Sequence, residues 1–222
     1  MFLTSSNDQT VRLWNLQEAG CLAKMDLPKD SVGLSSQCRA VFDSTGMVFM
    51  VLAEMARGEG HFIHLYDARN YQGGAFSEIK LTSKAVNEAM VTHRVPPPPP
   101  KALGSSPLAI NKISFNESGS RILVHTLDGY SLVLDGYEGT VQRIFRSSRG
   151  NAQVSCFTPD EKSLLVGSDT DGLVDVYDLQ SGRSIATLEG SHGSNTGPIT
   201  ALACNPKFAQ IASGGAVKTR CV

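Results

Sequence analysis

The chain has 222 residues, with 20 Lys and Arg against 21 Asp and Glu, and its formal net charge is −1. That balance, with a pI near 6.5, excludes a polybasic nucleic-acid arm and an acidic tail and leaves no electrostatic footprint for direct DNA contact. The longest apolar run, residues 47–53, is too short to span a bilayer, and the opening Met1-Phe2-Leu3-Thr4 lacks the basic-then-apolar pattern of a signal peptide.

Short β-branched and aromatic runs recur between Gly, Asp, Asn and Ser clusters, while helical periodicity is nearly absent, so an all-β architecture is expected. Residues 1–28 hold Asp8 in a turn and the alternating Val11-Arg12-Leu13-Trp14, the second half of a repeat. Residues 36–81 form a whole repeat: a strand to Phe42, the turn Asp43-Ser44-Thr45-Gly46, a strand over 48–53, and Phe62-Ile63-His64-Leu65-Tyr66. Residues 82–108 read as a Pro-rich insertion around Pro96 to Pro100, a stiff linker or a ligand for an SH3- or WW-type groove. Residues 109–146 repeat the unit, with a turn Asn116-Glu117-Ser118-Gly119, a strand over 121–126, Asp128-Gly129 and Leu134-Asp135. Residues 151–189 repeat it again, with strands over 163–168 and 184–188 around Asp171-Gly172 and Tyr177-Asp178. Residues 197–222 look like a truncated unit.

The phase holds in detail. Asp8 precedes Trp14, Asp128 precedes Leu134 and Asp171 precedes Tyr177 by the same six residues, and Phe115 and Phe157 lie 42 apart. That period suits a four-stranded propeller blade. The chain resembles the WD40 family, with Trp14-Asn15, Tyr66-Asp67, Leu134-Asp135 and Tyr177-Asp178 at its Trp-Asp positions and Gly190-Ser191-His192 as a stretched Gly-His. The resemblance implies a structural polar network through Ser5, Asp8, Trp14, Asp67, Asp128, Ser168, Asp171, Tyr177 and His192. Asp8 with Ser5 and Trp14, and Asp171 with Ser168 and Tyr177, are the expected relays; the second repeat has Gly60 where its Asp belongs. About three whole blades and two halves fall short of a seven-bladed ring, so a fragment with exposed apolar edges is expected.

Two stretches, Leu65-Tyr66-Asp67-Ala68-Arg69-Asn70-Tyr71-Gln72-Gly73-Gly74-Ala75-Phe76 and Gly197-Pro198-Ile199-Thr200-Ala201-Leu202-Ala203-Cys204-Asn205-Pro206-Lys207-Phe208, go further. With Asn7-Asp8-Gln9-Thr10-Val11-Arg12-Leu13-Trp14 they are similar to the WD subunit of COMPASS-type complexes, which methylate histone H3 on lysine 4. That subunit type is shared with cleavage-and-polyadenylation and phosphatase assemblies. The resemblance implies a nuclear, non-catalytic scaffold with a SET-domain methyltransferase among its protein partners, and neither cofactor nor membrane. A WD40 adaptor of another pathway, such as ubiquitin ligation or RNA processing, is the alternative. The partner face is expected to include Lys112, Gln153 and Asp169.

Catalytic signals are few. No phosphate loop, HExxH or GxSxG motif occurs. His61 and His64 are three apart on an expected strand and face opposite sides, so they cannot chelate one ion. His125 reads as part of a blade's polar network, and Asp160-Glu161 and Asp169 with Asp171 as solvated turn carboxylates. Five cysteines without a CxxC pair suit a reducing compartment, and the sequon Asn116-Glu117-Ser118 reads as a chance match.

Overall fold

The structure, a computed structural model, describes residues 1–6, 8, 10–17, 20–26, 39–55, 59–97, 108–147, 152, 154–189 and 196–217. Strand pairing is antiparallel throughout these residues, and every sheet is a meander of sequential neighbours. β1 (Phe2–Ser5), β2 (Thr10–Trp14) and β3 (Cys21–Asp26) form a three-stranded sheet. Four-stranded sheets follow: β4 (Arg39–Phe42), β5 (Val48–Glu54), β6 (Gly60–Asp67) and β7 (Ser77–Thr82); then β8 (Ile110–Phe115), β9 (Arg121–Thr126), β10 (Tyr130–Asp135) and β11 (Val141–Arg146); then β12 (Val154–Phe157), β13 (Ser163–Gly167), β14 (Val174–Asp178) and β15 (Ser184–Leu188). β16 (Thr196–Cys204) and β17 (Ile211–Val217) pair as a two-stranded sheet. These are the sheets of WD40 β-propeller blades.

The chain divides into two compact units, one built on β1–β3 and β4–β7, the other on the sheets from β8 to β17. In the first, Leu3, Val11 and Met25 pack on Phe42, Phe49, Val51 and Tyr66. In the second, Leu123, Val133 and Phe145 meet Phe157, Leu164, Val166 and Tyr177.

The repeat has a local physical cause. In each turn joining the first two strands of a four-stranded sheet, a side chain accepts from the backbone N–H five residues on: Asp43 from Val48 (3.0 Å), Asn116 from Arg121 (2.8 Å) and Thr158 from Ser163 (3.0 Å). A polar residue that closes its own turn favours this geometry over a helix. Gly46 (φ 70°) and Gly119 (φ 73°) take the left-handed position of the first two turns, and Glu161 (φ 57°) takes it in the third. The Trp-Asp position likewise caps a turn. Asn15, Asp67 and Asp178 accept from the amides of Gln17, Arg69 and Ser181, and Asp135 accepts from the Gln142 side chain (3.0 Å).

Two features depart from the sequence reading. The segment expected as half a blade carries three strands, because Phe2–Ser5 pairs along β2 from Trp14 to Val11. The segment expected as a Pro-rich insertion opens on a helix, α1 (Ser83–Thr92). Thr82 Oγ1 accepts from the Ala85 amide (3.2 Å) at its start. At its end Arg94 turns left-handed (φ 56°), with Val95 N–H donating to Met90 O and Arg94 N–H to Val91 O. This is a Schellman stop with Pro96 just beyond it. Val86 and Met90, four apart, are its buried stripe. Pro98 to Pro100 lie outside the described residues, and the Pro96 carbonyl accepts from the Tyr130 hydroxyl (2.8 Å).

Candidate functional site

The seam between the β8–β11 and β12–β15 sheets holds the most organised polar group of the second unit. His125 is fully buried at the end of β9. Its Nε2 lies 3.1 Å from the Ala152 carbonyl, which can only accept, so Nε2 carries the proton. Nδ1 is then an acceptor, with Ser131 Oγ at 2.9 Å and Ser155 Oγ at 3.0 Å, and the two hydroxyls lie 3.0 Å from each other. Burial pushes the imidazole pKa down to about 4, so the ring is neutral at pH 7. The pairing looks like a Ser–His dyad, but both residues have no exposed surface, and no substrate can reach them.

Two further side chains pin the same seam. Asp175, 3% exposed on β14, accepts from Ser147 Oγ (3.2 Å) and Thr187 Oγ1 (3.1 Å). Tyr177, two residues on and hence on the same face, donates its hydroxyl to the Arg146 carbonyl (3.1 Å). Asp175 was not among the sequence candidates; an acid inside the apolar strand Val174–Asp178 was the available signal.

The residues of the expected relays make the following contacts. Tyr177 pairs with Leu164, at the far end of the hairpin from Ser168. Ser168 accepts from the Thr170 amide (3.2 Å), and Asp171 accepts from the Leu173 amide (3.3 Å). Trp14 Nε1 donates to Thr4 Oγ1 (2.8 Å). Ser5 pairs with Val11 and Thr4 with Arg12, so strand alternation puts Ser5 on the face opposite Trp14. Asp8 accepts from Thr10 (Oγ1 2.7 Å) and Arg12 (3.2 Å), and the Thr10 hydroxyl foremost lowers its pKa. Asp67 is held bidentate by Arg69 (3.0 and 2.8 Å), whose hydrogen bonds lower its pKa to about 2. That clamp is the physical content of the Tyr-Asp-x-Arg stretch. Gly60 admits no larger residue, because a Cβ there would collide with the Leu81 carbonyl oxygen. Asp128 sits half-buried in the turn between β9 and β10, and His192 lies outside the described residues.

His61 and His64 are buried on opposite faces of β6, His61 between Glu54 and Leu81 and His64 between Val51 and Glu78. Burial lowers both pKa values, that of His61 to about 4. Among the described residues no group of three or more His, Cys, Asp or Glu could hold a metal ion, and no helix is long and apolar enough to cross a membrane.

The second unit has two open clefts. One, of about 700 Å³, runs between the β8–β11 and β12–β15 sheets and is lined by Arg121, Arg143, Lys162 and Asp178 among others. The other, of about 380 Å³, is lined by Pro159, Asp160, Cys204, Pro206 and Phe208. Of the expected partner face, Lys112 is half-buried on β8 opposite His125, and Asp169 is half-buried in the turn after β13. Gln153 lies outside the described residues.

No protein-family model matches the chain. Curated proteins do. WD repeat-containing protein 82 of Drosophila melanogaster is 27% identical over 96% of this chain and 56% of its own length. COMPASS component SWD2 of Saccharomyces cerevisiae is 28% identical over 95% of the chain and 57% of its own length, and Set1 complex component swd2 of Schizosaccharomyces pombe 26% identical over 78% and 42%. The chain is of the WD40 type and resembles the COMPASS subunit. This WD40 chain spans about half the length of the curated relatives it matches. A single Trp-Asp-like indole, Trp14, remains among its repeats, which accounts for a family pattern that is clear in its turns and faint in its signature dipeptide.

Proposed function

We propose that this WD40 chain is a non-catalytic scaffold subunit of a nuclear COMPASS-type histone H3 lysine 4 methyltransferase complex. Its protein partners then include a SET-domain methyltransferase, and the same framework serves mRNA 3′-end processing or termination machinery. The observation that carries the reading is the similarity to COMPASS and Set1 components along most of the chain. The buried, neutral histidines support a framework role over a reactive one.

The mechanism is presentation. Turns closed by their own side chains and sheets pinned across seams keep loop residues in place before a partner arrives, which lowers the ordering cost of binding. A partner that binds only the folded scaffold stabilises it, and is stabilised in turn, by mass action. We place the partner contacts at Lys112, Gln153 and Asp169, and give Asp8, Trp14, Asp67, Asp128, Ser168, Asp171, Tyr177 and His192 structural roles within the blades; Ser5, on the face away from Trp14, stands outside that relay. With a net charge of −1, contact with nucleic acid runs through the other subunits.

Affinity purification of the tagged chain from nuclear extract, followed by mass spectrometry, tests the reading. The expected result is recovery of a SET-domain methyltransferase with its companion subunits. Recovery of cullin-type ligase components alone would assign the chain to the adaptor alternative.

A further inference from the structure

Two cysteines that the scaffold role does not use face each other across the seam between the β12–β15 and β16–β17 sheets. Cys156 sits on β12 opposite Leu165, and Cys204 ends β16 opposite Ile211. Their sulfurs are 3.7 Å apart although the residues are 48 apart in sequence. Both pack against the apolar cluster of Val154, Leu165, Ile199 and Leu202 and remain partly accessible. Cys204 also lines the 380 Å³ cleft, so a small polar oxidant can reach its sulfur. Cys21, the other cysteine among the described residues, is exposed in the other unit, where its thiol contacts the Ala23 carbonyl (3.0 Å).

We propose that Cys156 and Cys204 are a redox-sensitive dithiol that a peroxide converts to a disulfide, joining the β16–β17 sheet covalently to its neighbour. The 3.7 Å separation must close to the ~2.05 Å of a disulfide, a distance that side-chain rotation and a slight strand shift supply. Access divides the roles. The two thiols share one contact in which either sulfur can donate, and Cys204 is the one that lines the open cleft. Cys156 is not among the residues lining that cleft, so Cys204 meets the oxidant first and is the attacking thiol, with Cys156 the resolving one.

The Cys204 thiolate attacks one oxygen of hydrogen peroxide, the O–O bond breaks, and hydroxide leaves to give a sulfenic acid. Cys156, losing its proton, attacks that sulfur, and the S–OH bond breaks with release of water. Overall two thiols and one hydrogen peroxide give one disulfide and two waters; the thiols lose two electrons and the peroxide gains them. A thiol reductant reverses the step. Disulfides of this transient kind occur in reducing compartments, whereas a permanent framework does not.

Intact-mass and peptide analysis of the full chain after a modest excess of hydrogen peroxide tests the proposal. The mass should fall by about 2 Da per chain, with a cross-linked peptide joining Cys156 to Cys204 and full reversal by dithiothreitol. The yield should not depend on protein concentration, and the oxidised chain should melt at a higher temperature than the reduced one. In Cys156→Ser the sulfenic acid has no resolving partner, so dimedone should label Cys204; in Cys204→Ser no cross-link should form. Wild-type chain needs no folding control from the variants: limiting N-ethylmaleimide should modify Cys204 several-fold faster than Cys156. A chain that keeps both thiols at a peroxide dose that oxidises free cysteine, a link through other cysteines, or faster alkylation of Cys156 would overturn the proposal.

Discussion

Two seams join sheets in this protein by opposite means. Between β1–β3 and β4–β7 the contact is dry: Leu3, Val11 and Met25 meet Phe42, Phe49 and Tyr66, with Phe49 stacked on Tyr66 at 5.0 Å and edge-on to Phe42 at 5.6 Å. Between β8–β11 and β12–β15 an apolar cluster is threaded by His125, Ser131, Ser155, Asp175 and Tyr177, each hydrogen-bonded within or across the seam. An apolar contact is non-directional and tolerates small shifts. A buried hydrogen-bond network does not, because one register step strands every member without a partner. The dry seam therefore supplies stability, and the polar seam adds specification of one arrangement. Under the proposed scaffold role, the second kind keeps the loops beside it in fixed places.

The comparison makes ordered predictions. Phe49→Ala, at the centre of the dry seam, should cost about 3–5 kcal/mol in urea unfolding through lost burial and a cavity. Acidification should act next. His125 and His61 have pKa values near 4 in the folded chain against 6.5 as free side chains. The unfolded chain takes up their protons first, so their contribution is whole above pH 6.5 and is lost between 6.5 and 4, at ~3 kcal/mol each. A stability profile flat across that window would mean that His125 is not held neutral by burial. Below it, Asp67, held near 2 by Arg69, loses its contribution as pH falls from 3.8.

Ser155→Ala removes one of the two hydroxyls on His125 Nδ1, leaving Ser131 to donate, and should cost ~1 kcal/mol in the same measurement. The sharper reading is structural: amide chemical shifts should move at Ser131 and Ala152 as well, whereas an isolated hydrogen bond would perturb its own neighbours alone. The smallest effect belongs to the exposed face of the first sheet. Trp14→Phe deletes the bond to Thr4 while keeping the stack on Phe2 at 6.0 Å, and should cost ~1 kcal/mol or less. A loss equal to that of Phe49→Ala would show that this face carries a buried network after all.

Much of this architecture was legible in the sequence because its punctuation is local. The strands expected over 121–126 and 184–188 form as Arg121–Thr126 and Ser184–Leu188, each bounded by turns that close on their own Asp, Asn, Thr or Gly. Long-range partners were not legible. His125 finds Ser155 and Ala152 some 30 and 27 residues away, and Tyr177 reaches Arg146 across 31, so nothing in the local pattern names them. The relay of Ser5 to Trp14 failed on parity, since alternation along β1 turns Thr4 and not Ser5 toward the indole. α1 escaped notice because a ten-residue helix with Val86 and Met90 as its buried stripe leaves too short a periodic signal. Cys156 and Cys204, far apart in sequence and in no motif, meet only because consecutive sheets stack in order.

The central claim is that this WD40 chain works by holding a partner and not by transforming one. Isothermal titration calorimetry of the purified chain against a purified SET-domain methyltransferase subunit tests it most directly. Saturable one-to-one binding with a negative heat-capacity change, weakened by substitution of Lys112 or Asp169 and unaccompanied by turnover, is the predicted result. Absence of binding to a methyltransferase that is folded and active would contradict it.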